Sequence, residues 1–537
     1  MDELGKEKNS QKTLMKNKQL QDSKMLESSP EYFLSICSEF KLGALPTETP
    51  NPRTLNLSTD AKTNLSAAID SIKKIDEDVF EILHSKLSDL ENLKLAIEKT
   101  LKEKNRIFLC GCGATGRLSL ALETIWRQLN KDNRDLKDKV ISFMAGGDVA
   151  LIHSVEKFED FPEFGERQLM ELGFREGDLL ISTTEGGETP FVIGATEKAS
   201  LVSSNKPFIL YCNPDDILIK TTKRSRNFIE NPKINKINLT VGPMALTGST
   251  RMQATTILMY GVGLALINFD RDFHKAEYEL QKVSEFVKKC DFNFLIPFIE
   301  RETQIYQRGE YLLYETDASL GISILTDTTE RSPTFSLYPF ENQNSQNKNP
   351  SLSYLYFKDS MNAKSAWSDL LKREPRTFYW KEVTDQTSAD RLFGFDFSEG
   401  LAKKRTSYTK ATNHHFKIYY NAEKNQILFS LNELKHALDL EDLNFLSVHI
   451  VLKVLLNNLS TLIMGRMGRY ESNLMTWVRA SNNKLIDRAV RYAIMLLAKD
   501  GIEGDYEKLV HLCFELKDQI ARDDALVLRM VERYKNS

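Results

Sequence analysis

Cysteine is scarce in this 537-residue chain, and of its six cysteines only Cys110 and Cys112 lie close together. Two positions apart at the end of an apolar run, they are expected on one face of a strand. No other pair of cysteines or histidines has the spacing of metal ligands, so the sequence predicts no metal site and no cofactor. Reduced, mostly buried cysteines are typical of a cytosolic protein.

An excess of one charge is also lacking, since the formal net charge is −3. No global field therefore draws the chain toward nucleic acid or an anionic membrane, and an anion site has to be built locally. Long apolar runs are missing too: the most apolar stretch, Thr256–Asn268, is too short to span a bilayer and is expected to be a buried helix. The N-terminal residues have no apolar segment of the secretory type. We expect a cytoplasmic protein.

The chain is longer than a domain with a single hydrophobic core usually is, which favours two or three domains. Because its beginning is rich in Lys, Asn, Gln and Ser, we expect a mobile arm over residues 1–41. We predict a first α/β domain with a helical leader over 42–272 and a second α/β domain over 273–457. A helical region over 458–537 completes the chain.

Short apolar runs alternate with helical patterns from residue 106 onward, which is typical of parallel strands joined by right-handed crossovers. The strands predicted in the first domain are Arg106–Cys110, Val140–Gly147, Asp178–Thr183, Pro207–Cys212 and Ile237–Gly242. A second cycle starts with a strand, turn and helix over Gly309–Leu325. Further strand-like runs are 334–339, 376–380, 415–420 and 426–430. The predicted fold is α/β, with two doubly wound parallel-sheet lobes and a helical C-terminal region.

The first of three polar loops, Gly111–Arg117, follows a predicted strand and opens a helix. Its glycines, including Gly113, allow a tight turn and close approach of the backbone to a ligand. The helix N-terminus then offers free N–H groups and a positive dipole end to a phosphate, and Thr115 adds a hydroxyl. The glycine spacing also fits a dinucleotide turn, but the acidic residues at the required distance, Asp132 and Asp135, lie in a polar linker. A tight structural turn is the alternative.

Two further loops have the same character. TTEGGETP at Thr183–Pro190 follows a strand, and TGSTRMQA at Thr247–Ala254 stands at the head of an apolar helix. Their candidate phosphate-binding residues are Thr184, Gly186, Thr189, Ser249 and Thr250. Doubly wound sheets bind ligands at the carboxyl ends of neighbouring strands, so we expect the three loops to face one anion. Plain helix capping is the alternative for the third loop.

The three loops, in this order, resemble those of a sugar isomerase (SIS) domain. The phosphosugar loop of that superfamily usually reads S-x-S-G-x-T, and here Thr184 and Gly186 replace the two serines, which removes one hydroxyl. Further motifs are similar to the family of glucokinase regulatory protein and the N-acetylmuramic acid 6-phosphate etherases. They are TETPNPRT, MAGGDVA, VEKFED, GPMALTGSTRM and NLSTLIMGRMGRYESNLMTWVRASNNKLIDRAVRY.

The arrangement of these motifs is closer to glucokinase regulatory protein. In the etherases the last motif follows soon after the GSTRM helix, whereas about 190 residues intervene here. The resemblance implies that a second SIS lobe fills this interval, while the etherases pair two chains as a homodimer. The second lobe, whose ETDASLG turn lacks the tight glycine turn, is expected to be degenerate.

The resemblance implies a set of ligand contacts. The residues that would hold the phosphate are Thr115, Thr184, Ser249 and Thr250. Glu159 would bind sugar hydroxyls, and Lys484 and Arg488, on one face of a predicted helix, would reach the ligand from the C-terminal region. A solvated helix face is the alternative for this last pair. The implied ligand is of the fructose 6-phosphate or N-acetylmuramic acid 6-phosphate class.

Catalysis depends on a general acid/base. The etherases eliminate lactate from a sugar and then add water, which requires a proton shuttle. The resemblance places one of their glutamates at Ile125 here, and Glu123 lies about 200° away around the helix. Glu159 matches the second. We therefore favour a non-catalytic regulatory protein that modulates a glucokinase-like sugar kinase. The alternative is an etherase using Glu159, with Glu123 as a helper. A third hypothesis, a sugar isomerase, has only His153 as its base.

Overall fold

The computed structural model describes residues 29–40, 42–155, 158–346 and 348–537. Most of the predicted N-terminal arm lies outside these residues, and Pro30–Ile36 forms a helix. The chain divides into two compact units: one combines the described part of 1–43 with 478–537, and the other is Ala44–Trp477. The predicted domain boundaries stay predictions.

The first sheet has five strands, all parallel. They are β1 Ile107–Gly111, β2 Val140–Met144, β3 Leu179–Thr183, β4 Phe208–Tyr211 and β5 Asn235–Asn238. The strand order is β2-β1-β3-β4-β5. The chain adds β2 on one side of β1 and then adds β3, β4 and β5 on the other side, so the switch point lies between β1 and β3. Ligands bind at such a switch point in open α/β sheets, and the loops after these two strands are the first two polar loops.

The second sheet also has five strands, ordered β10-β9-β8-β6-β7. They are β6 Tyr311–Thr316, β7 Ser353–Phe357, β8 Asn413–Asn421, β9 Gln426–Leu431 and β10 Leu434–Asp439. β6 pairs in parallel with β7 and β8, while β8, β9 and β10 form an antiparallel meander. The order reverses between β6 and β8, so this lobe has a switch point of its own.

Helices cover both sheets and make up the end of the chain. The helices before the second sheet are α1 Pro30–Ile36, α2 Leu57–Thr63, α3 Leu65–Ser85, α4 Leu87–Lys102, α5 Ala114–Leu129, α6 Arg134–Lys137, α7 Pro162–Glu171, α8 Pro190–Val202, α9 Asp215–Thr221, α10 Lys223–Glu230, α11 Gln253–Ile267, α12 His274–Lys289 and α13 Ile296–Gln307. The later helices are α14 Gly321–Phe335, α15 Ala363–Leu371, α16 Thr384–Thr387, α17 Ala389–Phe393, α18 Glu399–Thr409, α19 Phe445–Arg466, α20 Asn483–Lys499, α21 Tyr506–Leu516 and α22 Leu526–Lys535.

The predicted two-lobe α/β fold with a helical C-terminal region is confirmed, with corrections in the second lobe. The run 334–339 is not a strand. Its first two residues are the last residues of α14, and Ser336 caps that helix in a left-handed conformation. The run 376–380 is irregular, and its Phe378 and Trp380 side chains pack against Phe158 of the first lobe. The strands β7 and β10 were not predicted.

Two apolar helices form the core. α11, the helix expected from the run Thr256–Asn268, is buried along nearly its whole length. By length and composition α19 could cross a membrane, but 94% of its apolar window is buried inside the fold. In the described chain α19 is therefore a core element.

Candidate functional site

The first loop turns on a glycine that no other residue can replace without strain. Gly113 has φ 55° and ψ −123° and lies just before α5, in a region that L-residues avoid. A Cβ atom there would meet nothing within 4 Å, so the backbone faces open space. Thr115 Oγ1 accepts from the Cys112 amide at 3.0 Å and donates to the Cys112 carbonyl at 2.9 Å. The Thr115 hydroxyl thus closes the turn through hydrogen bonds to its backbone, and the side of the turn at Gly113 is open.

Glu159 lies beside this loop. It belongs to a single 3-10 turn, Phe158–Asp160, and its Oε2 atom is 3.4 Å from the Cys112 sulfur. The carboxylate and the first loop therefore border the same space. His153 lies in the same stretch of chain, with Nδ1 3.0 Å from the Ser154 carbonyl.

The second loop presents two hydroxyls that contact each other. Thr184 follows β3 directly, and its Oγ1 is 3.1 Å from Oγ1 of Thr189. Between them Gly187 has φ 68°, again a conformation that favours glycine, and Gly186 is buried. At the end of β3 the Thr183 hydroxyl donates to the Cys110 carbonyl at 3.3 Å, which joins the second loop to the end of β1.

The third loop contains a buried hydroxyl without a partner. Ser249 is 3% exposed, and its Oγ makes no hydrogen bond within the described chain. Its neighbour Thr250 donates to Glu185 Oε2 at 3.1 Å, which joins the third loop to the second. Buried hydroxyls are almost always paired in folded proteins, so the unpaired hydroxyl of Ser249 in one of the three loops is an unusual feature.

The leader segment supports the same loops. Thr47 accepts a hydrogen bond from Asn213 Nδ2 at 3.0 Å, and its carbonyl accepts from the Gly248 amide at 3.1 Å. Asn213 Nδ2 is also 3.3 Å from the Glu185 carbonyl. Asn213 therefore ties the leader to the second loop, while the Thr47 carbonyl ties it to the third; sequence reasoning missed Asn213. Its position directly after a buried strand, in YCNPD, is a signal that could have found it.

The two arginines near the loops are engaged elsewhere. Arg117 NH1 pairs with Glu330 at 2.6 Å, and Arg251 NH1 pairs with Asp327 at 3.0 Å. Both acids lie on α14, so these buried ion pairs join the first lobe to the second. The charge of a phosphate bound at the three loops would therefore have to be neutralised by other cationic groups.

Glu123 lies at the far end of α5 from the first loop, inside a cluster of arginines. Arg376 donates to both of its carboxylate oxygens, at 2.8 and 3.0 Å, and Arg373 and Arg127 each approach to 3.1 Å. Burial alone would raise the pKa of Glu123, but the Arg373 and Arg376 charges outweigh burial and hold the pKa well below its usual range. The carboxylate therefore stays ionised and paired. Ile125 is fully buried.

A segment of the second lobe holds the turn that carries Glu159. We call residues 373–380 the strap. The strap's Trp380 stacks on Phe158 with ring centroids 5.5 Å apart, and its Nε1 donates to Glu171 at 2.7 Å. Phe378 also contacts the Phe158 ring, with centroids 5.8 Å apart, and its ring lies 4.5 Å from that of Trp380. Phe158, the residue before Glu159, is thereby held in place by the strap, which is distant from it in sequence.

Lys484 and Arg488 both lie on α20, as expected. This helix belongs to the compact unit that contains residues 478–537, whereas the loops belong to the unit Ala44–Trp477. Their contact with the ligand stays a prediction. Among the described residues, no group of three or more His, Cys, Asp or Glu side chains could hold a metal ion.

Hydroxyl-rich loops at the switch point of a five-stranded parallel sheet define an α/β sugar-phosphate-binding protein of the SIS type. Residues 91–200 match the family described as glucokinase regulatory protein N-terminal SIS domain. An N-acetylmuramic acid 6-phosphate etherase of Salmonella agona is 32% identical over 295 residues, which cover 54% of this chain and 91% of that protein. The Salmonella typhi etherase is also 32% identical, over 298 residues. The chain belongs to the SIS-domain family of glucokinase regulatory protein and these etherases.

Solved structures with a similar fold are more distant. A tagatose-6-phosphate ketose/aldose isomerase from Escherichia coli aligns with a TM-score of 0.37 and 12% identity, covering 79% of this chain and 97% of that one. The C-terminal domain of glucosamine-fructose-6-phosphate aminotransferase from Francisella tularensis aligns with a TM-score of 0.38 and 11% identity, covering 75% and 96%.

Proposed function

We propose that the first-lobe crevice binds a sugar of the hexose 6-phosphate class through its phosphate. The observation that carries this proposal is the unpartnered Ser249 hydroxyl, buried where the third loop meets the second. Thr184 and Thr189 would add hydroxyls, Thr115 would add one by exchanging the Cys112 carbonyl for the phosphate, and the N-terminus of α5 would add free amides. Lys484 and Arg488 are the cations that the family resemblance brings to this ligand.

The first candidate for the reaction is that of the curated relatives, cleavage of N-acetylmuramic acid 6-phosphate. Their 32% identity over nearly their whole length supports it. Glu159 would be the general acid/base, because it lies next to the first loop. It would take the proton that leaves the sugar when lactate is eliminated and would return one when water adds.

A second candidate, binding without chemistry, is favoured by the surroundings of Glu123. The partner glutamate of the etherases is Ile125 here, which can neither take nor give a proton. Glu123 cannot replace it as a base, since three arginines hold it ionised and occupied. The output of such a protein would be regulatory, and a glucokinase-like sugar kinase is the partner implied by the family.

A coupled lactate assay with purified protein and N-acetylmuramic acid 6-phosphate separates the two candidates. Turnover above buffer that disappears in Glu159→Gln supports the etherase. Absence of turnover, with binding intact, supports the second candidate. Glu163→Gln, a substitution of an exposed glutamate four residues on, is the matched control.

Binding itself is tested by thermal shift. Glucose 6-phosphate, fructose 6-phosphate or N-acetylmuramic acid 6-phosphate should raise the Tm, while the unphosphorylated sugars should not. Equal shifts from a sugar and its phosphate would contradict the proposal. The regulatory output requires a further result, a change in sugar kinase activity that responds to the same sugar phosphate.

A further inference from the structure

A crevice at the switch point of the second sheet is lined by residues of both lobes. The cavity has a volume of about 790 Å³, within the range of small-molecule sites. Ser319 lines it from the turn after β6, and Tyr420 and Ala422 line it from the end of β8. Because β6 and β8 are adjacent and parallel, the cavity lies at their carboxyl ends, where the strand order reverses. This is where an open α/β sheet places its ligand.

The lining is strongly basic. Lys131, Lys137 and Lys372 line the cavity, and none of them forms an ion pair among the described residues. Arg127 and Arg373 line it as well, with their guanidinium groups directed to Glu123. The acidic residue in the lining is Glu374, which accepts from Ser368. Three lysines around one cavity, none of them in an ion pair among the described residues, favour an anion.

The N-terminal ends of two helices add to the positive potential of the cavity. Ser319 stands two residues before α14, and Phe445 is the first residue of α19. Two long helices thus begin at the cavity and contribute positive dipole ends. The last turn of α5 also borders it, and Arg127 in that turn offsets the negative end. Burial lowers the pKa of Lys372, while the Asp369 and Asp317 charges raise it, and an anion bound beside the ammonium group would raise it as well.

Apolar groups line the cavity together with the lysines. Tyr420 and Phe445 are both in the lining, with ring centroids 5.9 Å apart and planes at 50°. Leu129 also lines the cavity. A pair of aromatic rings and a group of cations in one cavity suit a molecule with a planar ring at one end and phosphate at the other.

We propose that this crevice is a second ligand site, which takes an organic phosphate of nucleotide size, with its phosphates on Lys131, Lys137 and Lys372 and its ring against Tyr420 and Phe445. The site is separate from the first-lobe loops and does not depend on the function proposed for them. The carboxyl edge of the second sheet would then keep a binding role, together with the first-lobe lysines Lys131 and Lys137, although the turn after β6 lacks the glycines of the first loop.

The test uses the full chain and adenosine diphosphate as the probe, with binding measured by calorimetry. The parent protein should bind it, more weakly as salt rises. The variant Lys131→Ala/Lys137→Ala should bind about tenfold more weakly, since each lysine supplies a charge-assisted contact. Lys404→Ala/Lys435→Ala removes two exposed lysines outside the crevice and should bind as the parent does. Both lysines of the test pair lie toward the surface, and a thermal melt confirms that the variants fold.

Four results would overturn the proposal. The first is no heat of binding by the parent at millimolar adenosine diphosphate, and the second is equal binding of it by the two double variants. The third is adenosine binding as tightly as the diphosphate, which would show an apolar crevice only. Displacement of the diphosphate by glucose 6-phosphate would place it in the first-lobe site and would equally reject the second site.

Discussion

Ser249 carries a buried hydroxyl that bonds to nothing in the described chain. A buried polar group left unpaired costs about 1–3 kcal/mol, and a phosphate would recover that energy on binding. We therefore predict that Ser249→Ala leaves the unliganded protein as stable as before, or more stable, while binding to a sugar phosphate weakens by about 0.5–1.5 kcal/mol.

Calorimetry and chemical denaturation of the same variant check this prediction. Ser200→Ala is the matched control, because the Ser200 hydroxyl bonds only to the helix carbonyl of Glu197. A loss of stability without a loss of affinity would mean that the Ser249 hydroxyl has a structural partner.

Substituting Lys484 tests the ligand contact that the family resemblance implies for this residue. If its ammonium group reaches the phosphate, Lys484→Ala should weaken sugar-phosphate binding by about 1.5–3 kcal/mol, as for a charge-assisted hydrogen bond. Lys499→Ala, at the exposed end of the same helix, should have no effect. Affinities measured at one salt concentration decide it, and equal affinities of Lys484→Ala and the parent would remove Lys484 from the site.

His449 gives the fold a pH dependence. Burial lowers the pKa of His449 to about 3, and its Nδ1 is 2.7 Å from the Ser323 hydroxyl. An unfolded histidine titrates near pH 6.5, so between pH 6.5 and 3 the unfolded state binds a proton that the folded state excludes. Stability contributed by neutral His449 is therefore full above pH 6.5 and is lost as pH falls.

From pH 8 to pH 5 this loss should reach about 2 kcal/mol in the free energy of unfolding. Urea denaturation at the two pH values measures it. The variant His449→Asn should lose that share of the pH dependence, while exchanging exposed His84 for Asn should not. An unchanged pH dependence in His449→Asn would show that other groups cause it.

At the level of elements, the strap connects the second lobe to the turn of Glu159. Trp380 is buried against Phe158, and Arg167 lies 4.1 Å from the centre of its ring. Trp380→Ala should lower the free energy of unfolding by about 3–5 kcal/mol. It should also weaken sugar-phosphate binding, since the Phe158–Asp160 turn loses its support.

Trp380→Phe separates the two effects. It keeps the stacking on Phe158 and loses only the hydrogen bond to Glu171, so most of the affinity should return. Denaturation and ligand titration of both variants give the comparison. If Trp380→Ala binds the sugar phosphate as the parent does, the strap is structural and does not position Glu159.

The elements of the first sheet could be predicted because each is a short apolar run bounded by polar turns. β1 and β3 are buried at every position, and the loops that follow them were found with them. The strap could not be predicted as irregular, since RTFYW has the composition of a strand. Its role depends on contacts such as Arg373 with Glu123, which are 250 residues apart. The same holds for the unpaired state of Ser249, which follows only from packing.

For the molecule as a whole, the two α/β lobes lie within one chain. Buried ion pairs from Arg117 to Glu330 and from Arg251 to Asp327 join them within that chain. We predict a monomer of 61.5 kDa by light scattering at micromolar concentration. A stable particle of twice that mass would contradict this.

The joining of the lobes by covalent bonds has a consequence for how the protein behaves at low abundance. In a dimer assembled from separate chains, dilution releases the subunits. Here α14 meets Arg117 and Arg251 at an effective concentration that is set by the connecting chain and not by the number of molecules. A single copy in a cell would hold this contact as firmly as a concentrated solution does.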